Sequence, residues 1–281
     1  MPARREESWN VPTVRLHDGR HIPQLGLGLY KTPPDVVPRV VQDAIGLGYR
    51  HVDTASMYDN EAALAQGLDS TGLPREEVFI TTKLWNSDHG YDEAIRACHR
   101  SLERLGTTYL DLYLIHWPAP RQDRYVETWH ALETLRSEGL VKSIGVSNFH
   151  QPHLDRLEQH SDTTPSVNQI ECHPWLQQEE LLALHRVRGI TTEAWSPLAR
   201  GRVGRDDVLT AVAKSIGRTP AQVALRWQIH RGIVVIPKTV HHDRLVENSA
   251  IFDFDLDEHS LRILSDMDSG ERTGTHPDDR D

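Results

Sequence analysis

Cysteines, long apolar runs and recognisable targeting segments are all scarce in this sequence. The two cysteines, Cys98 and Cys172, lie far apart without metal-like spacing, so neither a disulfide framework nor a thiolate metal site is expected. No apolar run approaches the roughly 18 residues that a membrane span needs. The charged N-terminus, MPARREESWN, lacks the apolar core of a signal peptide. These absences predict a cytoplasmic protein that has no membrane partner.

Positive charge is scarce too, which limits the partners. The 41 acidic and 31 basic residues give a formal net charge of -10 at pH 7. This excess opposes sequence-independent binding to nucleic acid, so any anionic ligand requires a local cluster of cations. The 17 histidines would suit a metal-dependent hydrolase, but the sequence contains no H-E-x-x-H motif. His241 and His242 are adjacent and therefore poorly placed to converge on one helix face. We expect no metal site.

Short apolar runs and segments with helical spacing alternate regularly along the sequence. Most of the runs are continuous, which is typical of parallel strands buried on both faces. There are eight of them: IPQLGLGL, YRHVDTA, VFITTKL, YLDLYLIHW, VKSIGVSNF, PSVNQIE, GITTEAWS and GIVVIPKT. Between them, apolar residues recur at helical spacing, for example over residues 36–44 and 94–105. Thr219, Pro220 and Gln222 predict a helix that opens with a capping box.

This alternation, without a linker between any two units, predicts an α/β fold, specifically a single (β/α)8 TIM barrel. We expect a flexible tail at residues 1–10 and one barrel domain at residues 11–281, with a short N-terminal hairpin and a brief C-terminal tail. The alternative, an open doubly wound sheet, needs G-x-G-x-x-G after its first strand. The sequence there, GLGLYK, lacks the third glycine, so the barrel is favoured.

Three ionisable residues fall at the ends of three successive predicted strands. Asp53 ends the second strand, Lys83 the third and His116 the fourth, and Tyr58 lies in the loop after Asp53. Because a (β/α)8 barrel gathers the carboxyl ends of its strands at one mouth, we expect these four side chains to meet. Taken singly, each has an ordinary explanation as a solvated loop residue or a buried core residue. Their coincidence on adjacent strands favours a site.

The chain resembles the aldo-keto reductases from about residue 11 to about residue 277, and most closely their bacterial 2,5-diketo-D-gluconate reductase-like branch. The resemblance is carried by the motifs AWSPLARG, VIPKTV, RLVEN and IFDFDLD, together with GVSNF and VNQIE. It implies an NADPH-dependent, metal-free monomeric enzyme that reduces a small-molecule aldehyde or ketone to an alcohol. The four residues at the predicted mouth, Asp53, Tyr58, Lys83 and His116, would be its catalytic tetrad.

The resemblance also implies the binding residues. The expected cofactor-binding residues are Gly28, Ser147, Asn148, Gln169, Trp195, Ser196, Pro197, Leu198, Lys238, Thr239, Val240, His241, Arg244, Glu247 and Asn248. Independently of the resemblance, His116 of the tetrad and the aromatic residues that flank the tetrad in sequence, Tyr30, Trp85 and Trp117, are expected to bind the substrate. RGRVGRDD, residues 200–207, resembles the loop that folds over the pyrophosphate in this family. The short connection after Trp117 and the short tail after Gly270 predict an open mouth.

The chemistry of the tetrad suits carbonyl reduction. NADPH supplies a hydride, so the protein must supply a proton, and Tyr58 is the expected general acid. Lys83 is expected to lower the pKa of Tyr58, while Asp53 holds Lys83 in place and keeps it charged. His116 is expected to donate a hydrogen bond to the substrate oxygen. The alternative is a non-catalytic NADPH-binding sensor or partner subunit on the same fold, against which the intact tetrad argues.

Overall fold

The computed structural model describes residues 11–280, so the predicted flexible tail at residues 1–10 lies outside the described residues, as does residue 281. The described part opens with the predicted hairpin, whose strands Thr13–Arg15 (β1) and His21–Pro23 (β2) pair antiparallel. Leu16 and Ile22 of this hairpin are buried in one cluster with the interior residues of the barrel. That cluster includes the first residues of several strands, so the hairpin covers the amino-terminal end of the barrel.

Eight parallel strands follow, ordered in space as they are in the chain. They are Leu27–Gly28 (β3), His51–Asp53 (β4), Phe79–Leu84 (β5), Leu110–Ile115 (β6), Val141–Ser147 (β7), Val167–Glu171 (β8), Thr191–Trp195 (β9) and Val234–Val235 (β10). The first and last strands also bond, because Gly26 N donates to Val235 O at 2.9 Å and Gly28 N donates to Pro237 O at 3.2 Å. The sheet therefore closes, and the predicted (β/α)8 barrel is confirmed.

Helices pack around the outside of the barrel. They are Val37–Gly46 (α1), Glu61–Asp69 (α2), Tyr91–Arg104 (α3), Tyr125–Ser137 (α4), Gln151–His160 (α5), Glu179–Arg188 (α6), Asp207–Ser215 (α7), Pro220–His230 (α8), His242–Ser249 (α9) and Glu258–Ser265 (α10). The predicted capping box opens α8, where Thr219 Oγ1 accepts from Gln222 N at 3.2 Å and Gln222 Oε1 accepts from Thr219 N at 3.1 Å. Within residues 11–280, no helix is both long and apolar enough to cross a membrane.

The chain after α10 returns across the carboxyl-terminal end of the barrel. Glu171, the buried last residue of β8, accepts hydrogen bonds from Thr273 N at 2.7 Å and from Gly274 N at 3.2 Å. Further along, the guanidinium of Arg280 lies 5.2 Å from the centre of the Trp85 ring. These contacts hold the tail over the end at which the predicted site residues lie. The tail is brief, as predicted, but it covers part of the mouth that was expected to be open.

Candidate active site

A buried ion pair joins the ends of two neighbouring strands. Lys83 Nζ in β5 donates to Asp53 Oδ1 in β4 at 2.6 Å and to Thr54 O at 2.8 Å. Both side chains are buried, and Asp53 Oδ2 accepts a further bond from Gln169 Nε2 at 2.7 Å. Burial raises the pKa of Asp53, while the Lys83 charge and the Gln169 bond act in the opposite direction. The pair satisfies the condition for a buried charge, which is a partner and several hydrogen bonds.

Tyr58 lies beside this pair in the one-turn 3₁₀ helix Ser56–Tyr58. Its ring centre is 5.2 Å from Lys83 Nζ, 5.1 Å from the Tyr30 ring centre and 5.7 Å from that of His116. Burial, followed by electrostatic repulsion from Asp53 and from Tyr30, raises the pKa of Tyr58 well above its ordinary value. The expectation of a lowered Tyr58 pKa is not met, because burial outweighs the attraction of the Lys83 ammonium, which is already paired with Asp53. Tyr58 therefore holds its proton, as a proton donor must.

His116 directly follows β6 and completes the cluster. Its ring centre lies 5.1 Å from that of Trp85, and its backbone oxygen accepts from Asn148 Nδ2 at 3.0 Å. Burial, with smaller contributions from the charges of Lys83 and Arg280, lowers the pKa of His116 well below its ordinary value. Its ring is therefore neutral, and a neutral imidazole can donate one hydrogen bond to a ligand oxygen. The four residues that the sequence singled out are all in one place.

A cavity of about 200 Å³ opens above this cluster. Asp53, Tyr58 and His116 line it, whereas Lys83 lies behind Asp53 and Tyr58 and does not. Of the expected substrate-binding residues, Tyr30 and Trp117 line the cavity together with His116. Trp85 does not, because its ring is packed between His116 and the guanidinium of Arg280. Trp85 therefore supports His116 in this arrangement and does not form part of the wall.

The tail supplies cavity residues that sequence reasoning missed. Gly274, Thr275 and Arg280 line the cavity, as do Met57, Arg200 and Ile236. The backbone at Gly274 passes so close to Trp195 that a Cβ there would lie 2.4 Å from Cη2 of the ring. The glycine and arginine of the tail were visible in the sequence. Nothing in the periodicity of that irregular segment, however, indicated where it would lie.

The residues expected to hold the nicotinamide are hydrogen-bonded to one another and to their neighbours along one side of the cavity. Ser147 Oγ donates to Gln169 O at 2.9 Å, and Asn148 Oδ1 accepts from Trp195 Nε1 at 2.8 Å. Asn148 has a φ of 63°, a left-handed conformation that asparagine tolerates better than most residues. Gln169 uses its Nε2 for two carboxyl groups, those of Asp53 and Glu193, so its Oε1 is the atom left for a ligand. Gly28 also lines the cavity.

A second cavity, of about 560 Å³, adjoins the first and makes one long groove with it. The two share Tyr30, Ser196, Arg200 and Lys238. The second cavity is lined by the rest of the expected cofactor-binding set: Ser196, Pro197, Leu198, Lys238, Thr239, Val240, His241, Arg244, Glu247 and Asn248. The stretch 200–207, expected to cover the pyrophosphate, contributes Arg200, Gly201, Val203 and Gly204 to the same wall.

The far end of this groove is cationic. Lys238 and Arg244 are exposed, and neither has an ion-pair partner in the part of the chain that the structure describes. Helix α9 begins here at His242, and its N-cap residue His241 makes no side-chain cap, so backbone N–H groups at the helix start are left for a ligand. A helix N-terminus with two unpaired cations is suited to a phosphate group.

One group of potential metal ligands lies near the mouth, outside the predicted site. Ligand atoms of His150, His276 and Asp278 all lie within 4.8 Å of one another. Arg272, however, donates from Nη2 to His150 Nε2 at 3.3 Å. This bond leaves the proton of neutral His150 on Nδ1, which faces Asp278 Oδ1 at 3.4 Å. A hydrogen-bonded link between the tail and α5 accounts for the cluster, and the nearby guanidinium opposes a cation.

Comparison with known proteins agrees with this geometry. The profile of the Aldo/keto reductase family matches residues 24–268. An aldo-keto reductase of Mycolicibacterium smegmatis is 47% identical over 266 residues, covering 95% of this chain and 97% of that protein. Methylglyoxal reductase DkgA of Yersinia pestis is 45% identical over 270 residues, covering 95% and 96%. The crystal structure of a Gox0644 mutant in complex with NADPH has a TM-score of 0.92 at 46% identity, covering 95% of this chain and 98% of that one.

Proposed function

This chain belongs to the aldo/keto reductase family, and from that premise we propose that it reduces small aldehydes and ketones to alcohols with NADPH. One observation carries the proposal. A protonated tyrosine and a neutral histidine stand next to a buried lysine–aspartate pair in one cavity, and that cavity continues into a groove with unpaired cations. The first cavity supplies the proton chemistry, and the groove suits an extended, anionic dinucleotide.

The residues present fit NADPH. When bound, the cofactor supplies the hydride. Gln169 has its Oε1 left to accept from the carboxamide, and Trp195 offers the face of its indole ring to the nicotinamide. Lys238, Arg244 and the start of α9 provide the cationic site that a 2′-phosphate requires. We therefore propose that the groove between these groups is the NADPH site, and that NADPH is preferred over NADH.

The chain's own residues handle the proton. As two electrons reach the carbonyl carbon with the hydride, the carbonyl oxygen takes the proton of the Tyr58 hydroxyl, and the alcohol forms. Lys83 stabilises the phenolate that remains on Tyr58, and Asp53 keeps the ammonium in position and charged. The neutral His116 ring donates a hydrogen bond to the same substrate oxygen and so fixes the orientation of the carbonyl. Tyr58 regains a proton from solvent before the next turnover.

For the substrate, we propose small α-dicarbonyl compounds. The cavity of about 200 Å³ suits a molecule of a few heavy atoms. Arg280 at its rim offers a hydrogen-bond donor for a second oxygen. The similarity to a methylglyoxal reductase supports the same class. The aromatic rings of Tyr30 and Trp117 add apolar walls that simple aldehydes would share.

We further propose that the protein acts as a cytoplasmic monomer whose barrel is one catalytic domain. Large exposed apolar side chains among the described residues are scattered over different elements: Tyr30, Tyr91, Val187, Val208 and Val246. Scattered residues of this kind do not form the contiguous patch that a stable dimer needs. Light scattering of the purified protein tests whether it is a monomer.

The activity is tested with a substrate panel. Purified protein is mixed with NADPH and, in parallel, with methylglyoxal, simple aldehydes, diketones and keto-sugars, while the absorbance of the reduced nicotinamide is followed. We expect turnover with NADPH and the highest kcat/KM with an α-dicarbonyl. Binding of NADPH without turnover of any carbonyl would favour the non-catalytic alternative. Highest kcat/KM with a keto-sugar would refute the substrate proposal but leave the reaction class intact.

A further inference from the structure

A second buried carboxyl group lies directly behind the tetrad. Glu193 in β9 is fully buried, and its Oε2 accepts a hydrogen bond from Gln169 Nε2 at 2.6 Å. The same nitrogen donates to Asp53 Oδ2 at 2.7 Å, so one amide group joins two carboxyl groups. The other oxygen of Glu193, Oε1, has no hydrogen-bond partner within residues 11–280 and faces His51 Nε2 at 3.6 Å. Glu193 takes no direct part in the proton transfer from Tyr58 to the substrate oxygen.

If Asp53 and Glu193 were both ionised, the negative charge around them would exceed the positive charge. Lys83, from β5, is the ammonium that faces the two groups, and it lies 2.6 Å from Asp53 Oδ1. His51, from β4, adds no positive charge because burial lowers its pKa to about 3. Gln169, from β8, is neutral. Two carboxyl groups so close together in a buried site cannot both ionise readily, and Lys83 selects Asp53 as the ionised one.

We propose that Glu193 is a positioning residue that holds a proton during carbonyl reduction. The Lys83 ammonium then has only the Asp53 carboxylate to neutralise, and its positive charge still attracts the Tyr58 phenolate. The inference rests on the proposed reductase function. Glu193 Oε2 also accepts from Gln169 Nε2, which leaves Oε1 of Gln169 for a ligand in the groove. Ionised Glu193 would be a second negative charge near Lys83, and the phenolate would be a third. In a buried site that added repulsion disfavours proton release from Tyr58.

The first test is the pH dependence of kcat in Glu193→Gln, which has the shape of the protonated acid and cannot ionise. Burial and the Asp53 charge raise the pKa of Glu193 to about 8. Its protonated fraction therefore falls to about one-tenth at about pH 9. We expect kcat of the wild type to fall about tenfold from about pH 7 to about pH 9, and to fall much less in the variant. A structural role alone would change kcat by the same factor at every pH, and that result would overturn the proposal.

Glu61→Gln is the matched control. Glu61 is also a buried acid of the barrel region, but its partners are Thr82 Oγ1 at 2.7 Å and Arg104, and it does not touch Gln169. This variant removes a buried carboxyl group of equal size and leaves the groove intact. We expect the ratio of kcat at about pH 9 to kcat at about pH 7 to match that of the wild type. A ratio that rises as much as in Glu193→Gln would overturn the assignment to Glu193.

A measurement without turnover separates this inference from the proposed function. A carboxyl group whose pKa rises on folding from 4.5 to about 8 binds more protons in the native state than in the unfolded state between those values. Its contribution to stability therefore falls as the pH rises through that window. Glu193→Gln lacks this loss, so its urea midpoint relative to the wild type should rise from about pH 5 to about pH 8. If the enzyme reduces carbonyls but this relative midpoint does not change with pH, the proposal is overturned. If the relative midpoint rises, Glu193 holds a proton in the folded protein, even if no carbonyl is reduced.

Discussion

The two ends of the groove use charge in opposite ways. At the reaction end, defined by Asp53, Tyr58, Lys83 and His116, the charged atoms are buried and paired at 2.6 Å. At the phosphate end, defined by Lys238, Arg244 and the start of α9, the cations are exposed and have no ion-pair partner within residues 11–280. An unpaired charge at the reaction end would cost several kcal/mol, whereas an exposed cation is solvated by water.

This difference separates what holds the fold together from what selects a ligand. The reaction end is fixed before any ligand arrives, because its pair and its hydrogen bonds are part of the barrel. Under the proposed function, the phosphate end gains its partner only when NADPH binds. Changes at the reaction end should therefore affect turnover and stability together, while changes at the phosphate end should affect cofactor affinity alone. Substitutions at both ends test this contrast.

The largest effect is expected for Lys83→Met. It removes the charge that stabilises the Tyr58 phenolate, so turnover should fall by about a thousandfold or more. It also leaves Asp53 without its ion-pair partner in a buried position, so the free energy of unfolding should fall by about 3–5 kcal/mol. Steady-state kinetics and urea denaturation measure the two effects. Asp53→Asn, which only loosens Lys83, should be milder in turnover, and the opposite order would refute the assigned roles.

The double variant Asp53→Asn with Lys83→Met separates the two consequences. It removes both charges, so most of the lost stability should return while turnover stays low. Stability that stays as low as in the single Lys83→Met variant would mean that packing, and not charge, dominates at the reaction end.

Tyr58→Phe should have the next largest effect. Without the hydroxyl there is no proton donor, and turnover should fall by about 10²–10⁴-fold. The affinity for NADPH should stay nearly unchanged, because Tyr58 lies at the reaction end and the phosphate contacts lie elsewhere. Quenching of tryptophan fluorescence measures the affinity. Tyr91→Phe is the control, because Tyr91 is exposed on α3 and its hydroxyl contacts Thr134 at 2.9 Å, outside the groove. Turnover of Tyr58→Phe within tenfold of the control would remove Tyr58 from the mechanism.

Much of the reaction end could be predicted from the sequence, because Asp53, Lys83 and His116 each follow a continuous apolar run and such runs end at one mouth in a barrel. The phosphate end depended on the resemblance, since exposed cations follow no period. Glu193 was missed although it carries a signal, namely a glutamate inside the buried strand TTEAW. The tail could not be placed, because long-range contacts such as that of Thr273 with Glu171 determine its path.

Arg244→Ala should have a moderate effect that is confined to the phosphate end. Loss of one charge-assisted hydrogen bond at an exposed position should weaken NADPH binding by about tenfold, and binding of NADH, which lacks the 2′-phosphate, should not change. The wild-type affinity for NADPH should also fall with added salt more steeply than that of the variant, because exposed charges are screened. The unfolding midpoint should stay constant. Equal losses for both cofactors would show that Arg244 does not contact the 2′-phosphate.

The smallest effect is expected for Gly274→Ala, which tests to which end the tail belongs. A Cβ at this position would lie 2.4 Å from the Trp195 ring, so either the ring or the tail must move. Trp195 is held by its bond to Asn148 at 2.8 Å, and the tail beyond Gly274 is irregular, so we expect the tail to move. Arg280 would then be displaced from the cavity rim, and KM for an α-dicarbonyl should rise about fivefold, which corresponds to one lost hydrogen bond. The affinity for NADPH should change less.

Gly46→Ala, at the end of α1 with open space around it, is the control and should change neither KM nor the affinity for NADPH. A larger effect on NADPH than on the carbonyl would mean that Trp195 moves instead, and that the tail supports the cofactor site more than the substrate cavity.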